Sequence, residues 1–205
     1  LQIAKVDAVS IDFIIVATMT PDYPSPSTAA LIQKLIGAKK AAVVDIGAAC
    51  TGFVYALAMA KAYVESGMYK TVLVVAAEKM SSVMDYTDRT TCVIFGDGAA
   101  AAVVTGSGKG LAIDHVVQGA DGSQAELVIV PGGGTRCPAT ATSVQEGKHY
   151  FKMIGKEVYK HAIRAAIASA QECLQATGLS IEDVRWLVPH QAIMRMMEAI
   201  AKGLH

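Results

Sequence analysis

An α/β fold, with a parallel sheet covered on both faces, is what the sequence predicts, on three observations. Apolar, β-branched runs of strand length recur without polar alternation, the mark of strands buried on both sides. Segments of helical periodicity stand between them, so that consecutive strands run parallel. After a Gly/Pro/Thr-rich loop, GGGTRCPATATS at 132–143, strand and helix units start again.

Taken in order, SIDFIIVAT (10–18) is the first strand, closed by the breaker cluster TPDYPSP (20–26). A helix follows, with Ser25 as its cap and Pro26 in its first position, and stops at Gly37. AAVVDI (41–46) reads as a fully buried strand, TGFVYALAMAKAYVESG (51–67) as a helix and TVLVVAA (71–77) as another buried strand. Beyond the polar DYTDRTT (85–91) come FGDGA (95–99), read as a short hairpin turn because Asp-Gly lies between apolar runs, and three strands at 99–105, 111–119 and 125–131. A long helical stretch from Tyr150 to Thr177 ends at Gly178. Ser180 with Asp183 forms a cap-like start, RWLVP (185–189) a short strand, and 191–204 a final helix. This order divides the chain into a first half at 1–131, a connecting loop at 132–147 and the beginning of a second half at 148–205. Both ends read as cut, since Leu1 opens without a methionine and His205 falls inside a helical pattern.

Eighteen Lys and Arg balance eighteen Asp and Glu, so a nucleic-acid partner has no global electrostatic support. The mean hydropathy of +0.39 comes mostly from Ala, Val and Ile. Asp45 and Gly47 interrupt the longest apolar run, which argues against a membrane span. The four cysteines form no CxxC pair and no disulfide framework, which fits a reducing cytoplasm.

Cys50, in DIGAACTGF, lies between a strand and a helix start, flanked by small residues. A thiol at a helix N-terminus is expected to have a lowered pKa and to be a nucleophile, while free cysteines also serve as small core hydrophobes, and both readings stand. Among the histidines, His190 in LVPHQA follows a strand and lies where α/β sites collect, or it merely caps the next helix. Lys148, Lys152, Lys156, Lys160 and Arg164 recur every four residues on the long helix. Few carboxylates stand at pairing distance, so the stripe is either a solvated face or a docking site for an acidic partner.

DIGAACTGFVYAL, TDRTTCVIFGDGAAAAVV, MIGKEVYK and WLVPHQAIMR, in that order, resemble the β-ketoacyl-acyl-carrier-protein synthase III family of the thiolase-like superfamily, over essentially the whole chain. The resemblance implies a duplicated, five-layered α-β-α-β-α fold. It further implies an acyltransferase that opens type II fatty acid synthesis, condensing an acyl-coenzyme A primer with malonyl-acyl-carrier protein through an acyl-cysteine. Cys50 matches the nucleophile and His190 the histidine of a Cys-His-Asn set; the asparagine has no counterpart, because the sequence contains none. Arg89 matches a coenzyme A contact, and Lys156 and Ile193 stand where relatives carry asparagines near the pantetheine. Lys160, Arg195 and Lys202 match basic positions that dock the acyl carrier protein, and Ser25 and Met80 match positions lining the acyl pocket. The resemblance implies a cytoplasmic homodimer that needs no metal or bound cofactor. Alternatives are another thiolase-like branch (a thiolase, a hydroxymethylglutaryl-coenzyme A synthase or a secondary-metabolite ketosynthase) or a non-catalytic carrier-binding homologue.

Overall fold

The computed structural model describes residues 1–205. The chain forms two compact units, Leu1–Lys79 with Asp97–Val116 and Met80–Gly96 with Val117–His205.

The first unit holds a four-stranded sheet made of β1 (Phe13–Ala17), β2 (Ala42–Ile46), β3 (Thr71–Lys79) and β4 (Asp97–Thr105), in the order β2-β1-β3-β4. β1 runs parallel to both β2 and β3, whereas β4 is antiparallel to β3. Alternation along the central strand explains why β1 carries no polar residue. Ile14 and Val16 pack with Ala29, Ile32 and Ile36 of α1 (Thr28–Ile36) on one face. Phe13 and Ile15 pack with Ala56, Ala60, Phe53 and Leu57 of α2 (Gly52–Glu65) on the other. The N-terminal edge of the sheet is closed by Asp12, whose carboxylate accepts from the N–H groups of Lys70 and Thr71 at 2.9 and 3.0 Å. There Phe13 stacks on Tyr69 with ring centroids 4.8 Å apart. The C-terminal edge of the parallel strands is left for other uses.

Four local expectations are corrected here. The cap of α1 is Ser27, whose hydroxyl accepts from Ala30 N–H, so Ser25 and Pro26 precede the helix. Asp45 of β2 adds a second cap, accepting from the N–H groups of Thr28 and Ala29 at 2.6 and 2.8 Å. β2 is half-buried rather than fully buried, because it forms the edge of the sheet. FGDGA makes no hairpin turn: Asp97 and Gly98 already pair with Lys79 and Glu78, and the connection between β3 and β4 is the whole of 80–96. Residues 111–119 form no strand, since nothing pairs with their backbone, and Leu111 is fully exposed.

In the second unit, β5 (Val128–Ile129) and β6 (Lys152–Met153) make a short antiparallel ribbon, with α3 (Ala141–Gln145) between them. Of the strand expected at 125–131 only β5 forms, preceded by a 3-10 turn at Gly122–Leu127. Phe151 anchors the ribbon: its N–H donates to Val83 C=O at 2.8 Å, and its ring meets Phe95 edge-on at 4.7 Å. α4 (Gly155–Thr177) starts five residues later than expected and ends at Gly178, whose φ of +69° favours glycine. The Ser180–Asp183 capping box forms as expected. RWLVP is not a strand, and it leaves Trp186 and Val188 about four-fifths exposed (77% and 83%). α5 (Met194–Leu204) buries Met196 and Ile200 and packs along α4, where Tyr159 Oη donates to Arg195 C=O at 3.4 Å.

Candidate active site

Strand order and helix packing put Cys50 at the C-terminal edge of the parallel strands. β2 ends at Ile46; Gly47 and Ala48 carry the chain over the edge, and a 3-10 turn, Ala49–Thr51, leads directly into α2. A Cβ on buried Gly52 would stand 2.8 Å from Ala17 Cβ, so only glycine lets α2 press its first residue against the end of β1. Ala49 sits at φ +45°, a left-handed conformation that costs a non-glycine residue about 1–2 kcal/mol. Strain of this kind collects at functional turns.

The thiol does not carry the lowered pKa expected of a helix N-terminus. Desolvation by the surrounding protein raises it most, the Cys50 backbone N–H draws it partly back, and the Glu78 carboxylate raises it again. Cys50 precedes the first residue of α2, outside the turn where the macrodipole acts most strongly. The residue ranks among the exposed ones. Desolvation concerns the sulfur itself, so it governs the reactive atom. Glu78, at the end of β3, is the charged neighbour that the sequence pattern missed; a lone carboxylate after an apolar strand carries no signal of what it faces.

The other candidates fall as follows. Ser25 is exposed, in the segment before α1. Met80 is buried, at the start of the second unit. Arg89 is exposed and held between two Asp-Thr turns: Asp85 accepts from the Thr87 N–H and hydroxyl, and Asp88 from those of Thr90 and from the buried Thr91 hydroxyl. These hydroxyls, first among the causes, keep both carboxyls below their ordinary value. Lys156 is exposed in the first turn of α4, and Ile193 stands in the N-cap position of α5, where it offers no side-chain bond. His190 is exposed in irregular backbone, its C=O accepting from Ala192 N–H at 3.0 Å; with no strand at 185–189, the strand-edge placement is corrected.

The basic stripe is shorter and better paired than expected. Lys148 and Lys152 lie before α4 and reach Glu146 at 2.6 Å and Asp85 at 3.8 Å, while Lys160 reaches Glu157 at 2.9 Å. Lys160, Arg195 and Lys202 are exposed on the paired helices α4 and α5. An open cavity of about 240 Å³ lies beside Ala58, Lys61 and Glu65 with Asp114 and His115, toward the opposite end of α2 from Cys50. No group of three or more His, Cys, Asp or Glu is placed to hold a metal, and no helix is long and apolar enough to cross a membrane.

Solved structures set this arrangement among the thiolase-like folds. The crystal structure of 3-oxoacyl-[acyl-carrier-protein] synthase III from Aquifex aeolicus VF5 matches 100% of the chain at 40% identity and a TM-score of 0.87, with 61% of its own chain covered. Residues 44–122 match the family profile described as 3-oxoacyl-[acyl-carrier-protein (ACP)] synthase III. Beta-ketoacyl-[acyl-carrier-protein] synthase III of Chlamydia muridarum is 51% identical over 203 residues, and that of Roseiflexus castenholzii 48% over 201. Over 98% and 100% of its length the chain is similar to these synthase III proteins. It spans 62% and 61% of the length of those two relatives.

Proposed function

We propose that the protein carrying this chain is the initiating condensing enzyme of type II fatty acid synthesis, an acyltransferase. The observation that carries the proposal is the placement of Cys50: a thiol on a strained turn at the C-terminal edge of a parallel sheet, with a glycine seating the helix behind it. The family match spans these same residues.

In this reading the Cys50 sulfur attacks the carbonyl of an acyl-coenzyme A, a carbon–sulfur bond forms, and the coenzyme A thiolate leaves. Malonyl-acyl-carrier protein then loses carbon dioxide, and the carbanion so formed attacks the acyl-cysteine. A carbon–carbon bond forms and the thiolate departs. His190 stabilises the negative charge that develops on the malonyl thioester oxygen, and the Cys50 N–H contributes to the oxyanion hole for acyl transfer. Arg89, with Lys156 and Ile193, contacts coenzyme A. Lys160, Arg195 and Lys202 receive the acidic carrier, and Ser25 and Met80 border the acyl pocket. Every bond change is carried by side chains and substrates, so the reaction requires no metal or resident cofactor. The protein works as a cytoplasmic homodimer, and residues 1–131, 132–147 and 148–205 are one thiolase-like half, its connector and the start of the second half.

The test supplies the intact protein with labelled acetyl-coenzyme A and malonyl-carrier protein. Formation of 3-oxobutanoyl-carrier with matching release of carbon dioxide is expected. Acyl transfer to the carrier without carbon dioxide would reject the condensing role.

A further inference from the structure

We propose that Glu78 is a positioning residue of the Cys50 site, a carboxylate that pins the Thr18–Thr20 turn and places a fixed negative charge beside the sulfur. The proposal rests on the reading of Cys50 as the nucleophile and adds to it a residue that this reading leaves without a role.

Ala17 is the common reference point. Its register partner on β3 is Ala76, two residues before Glu78, and its Cβ is the atom against which Gly52, two residues after Cys50, is pressed. Glu78 and Cys50 therefore flank the same strand end. Both carboxylate oxygens are committed: Oε1 accepts from Met19 N–H at 2.9 Å, and Oε2 from the Thr20 hydroxyl at 2.8 Å. Thr20 Oγ1 in turn accepts from Lys79 N–H at 2.7 Å, and Thr20 N–H donates to Thr18 Oγ1 at 3.1 Å. A carboxylate tied at both oxygens cannot swing away, so its charge stays where the strands put it.

That charge acts on the thiol in the same direction as the desolvation. Asp45, at the same edge, is bonded to the start of α1, and Lys79 alternates to the other face of the sheet. A sulfur kept protonated is a poor target for stray electrophiles and oxidants, since the thiolate is the reactive form. Glu78 thus trades idle reactivity for protection until a thioester is bound.

The experiment measures alkylation of Cys50 by iodoacetamide against pH, by peptide mass spectrometry, in the intact protein. Glu78→Gln should shift the profile to lower pH and react several-fold faster near neutrality. Glu78→Asp, which restores the charge, should return toward wild type. Thr20→Ala keeps the charge and should leave the profile in place while slowing acyl transfer. Superimposable profiles for wild type and Glu78→Gln, or equal shifts in Glu78→Gln and Thr20→Ala, would overturn the assignment. A measurement without a neutral variant is amide exchange in the wild type: Met19 N–H should exchange slowly, and fast exchange there would overturn the pinning. Failure of acyl transfer in the wild type, with the Glu78→Gln shift intact, would reject the condensing role and leave the Glu78 assignment standing.

Discussion

Ser25 shows how a single residue's role follows from its neighbour's. Because Ser27 caps α1, the Ser25 hydroxyl is released from helix duty, and the side chain stands exposed in the segment that the resemblance places at the end of the partner's acyl pocket. If Ser25 borders the acyl pocket as proposed, its small hydroxymethyl group would leave room there for longer or branched primers. Each extra buried methylene contributes about 0.8 kcal/mol at most. Isobutyryl- and octanoyl-coenzyme A should therefore acylate Cys50 alongside acetyl-coenzyme A, and Ser25→Phe should suppress the longer ones selectively. Comparing the three acylation rates in both proteins checks this, and no difference between them would remove Ser25 from the pocket. At this scale the sequence marks the strand-helix junction that carries Cys50 well, since small residues around a cysteine there are a local pattern. It marks the thiol's electrostatics badly. The raising influence of Glu78 comes from 28 positions away along the chain and depends on the register of β1 with β3.

Elements place Cys50 through contact rather than propensity. α2 begins on Gly52 with its Cα against Ala17, so Gly52→Ala forces a Cβ-to-Cβ approach of 2.8 Å between two groups that have no rotamer to give. The helix must back away from β1, at a cost of about 1–3 kcal/mol, the usual range for overpacking. Chemical denaturation should show that loss, and Cys50 acylation should fall further than stability alone accounts for, because the turn at Ala49–Thr51 moves with the helix. Undiminished acylation would mean that the close seat of α2 is dispensable. Helices and central strands are the legible elements, since α1, α2, α4, β1 and β3 each announce themselves by period, breaker or cap. The strands expected at 111–119 and 185–189 fail for a common reason. A β-branched run becomes a strand only when another backbone pairs with it, and neither segment has such a partner here.

For the whole molecule, a net charge of zero means that the acidic carrier of the proposed function would be recognised by local patches. Lys160, Arg195 and Lys202 stand exposed on α4 and α5, two helices that pack together. Lys160 is engaged by Glu157, so the proposed docking is tested at Arg195 and Lys202. Exposed rim charges act chiefly on association rate and salt sensitivity. Reversing Arg195 and Lys202 together to Glu should raise the apparent KM for malonyl-carrier protein about tenfold or more at low salt and leave that for acetyl-coenzyme A unchanged. Equal KM values for the carrier substrate would exclude this face. The basic residues are legible in the sequence by spacing, but their pairing is not: the partners of Lys148 and Lys152 come from a turn and from a distant segment, outside any helical repeat.

The most direct measurement follows the acyl group on the protein itself. Incubation with acetyl-coenzyme A and then with malonyl-carrier protein, with peptide mass spectrometry at each stage, reads both half-reactions at named residues. The wild type should carry one acetyl group on the peptide containing Cys50 and lose it, with carbon dioxide release, when the malonyl substrate arrives. Cys50→Ala should never acquire the group, and His190→Ala should acquire it and retain it. An acetyl group on any residue other than Cys50, or its discharge by His190→Ala at the wild-type rate, would contradict the assignment of Cys50 as nucleophile and His190 as the group serving decarboxylation.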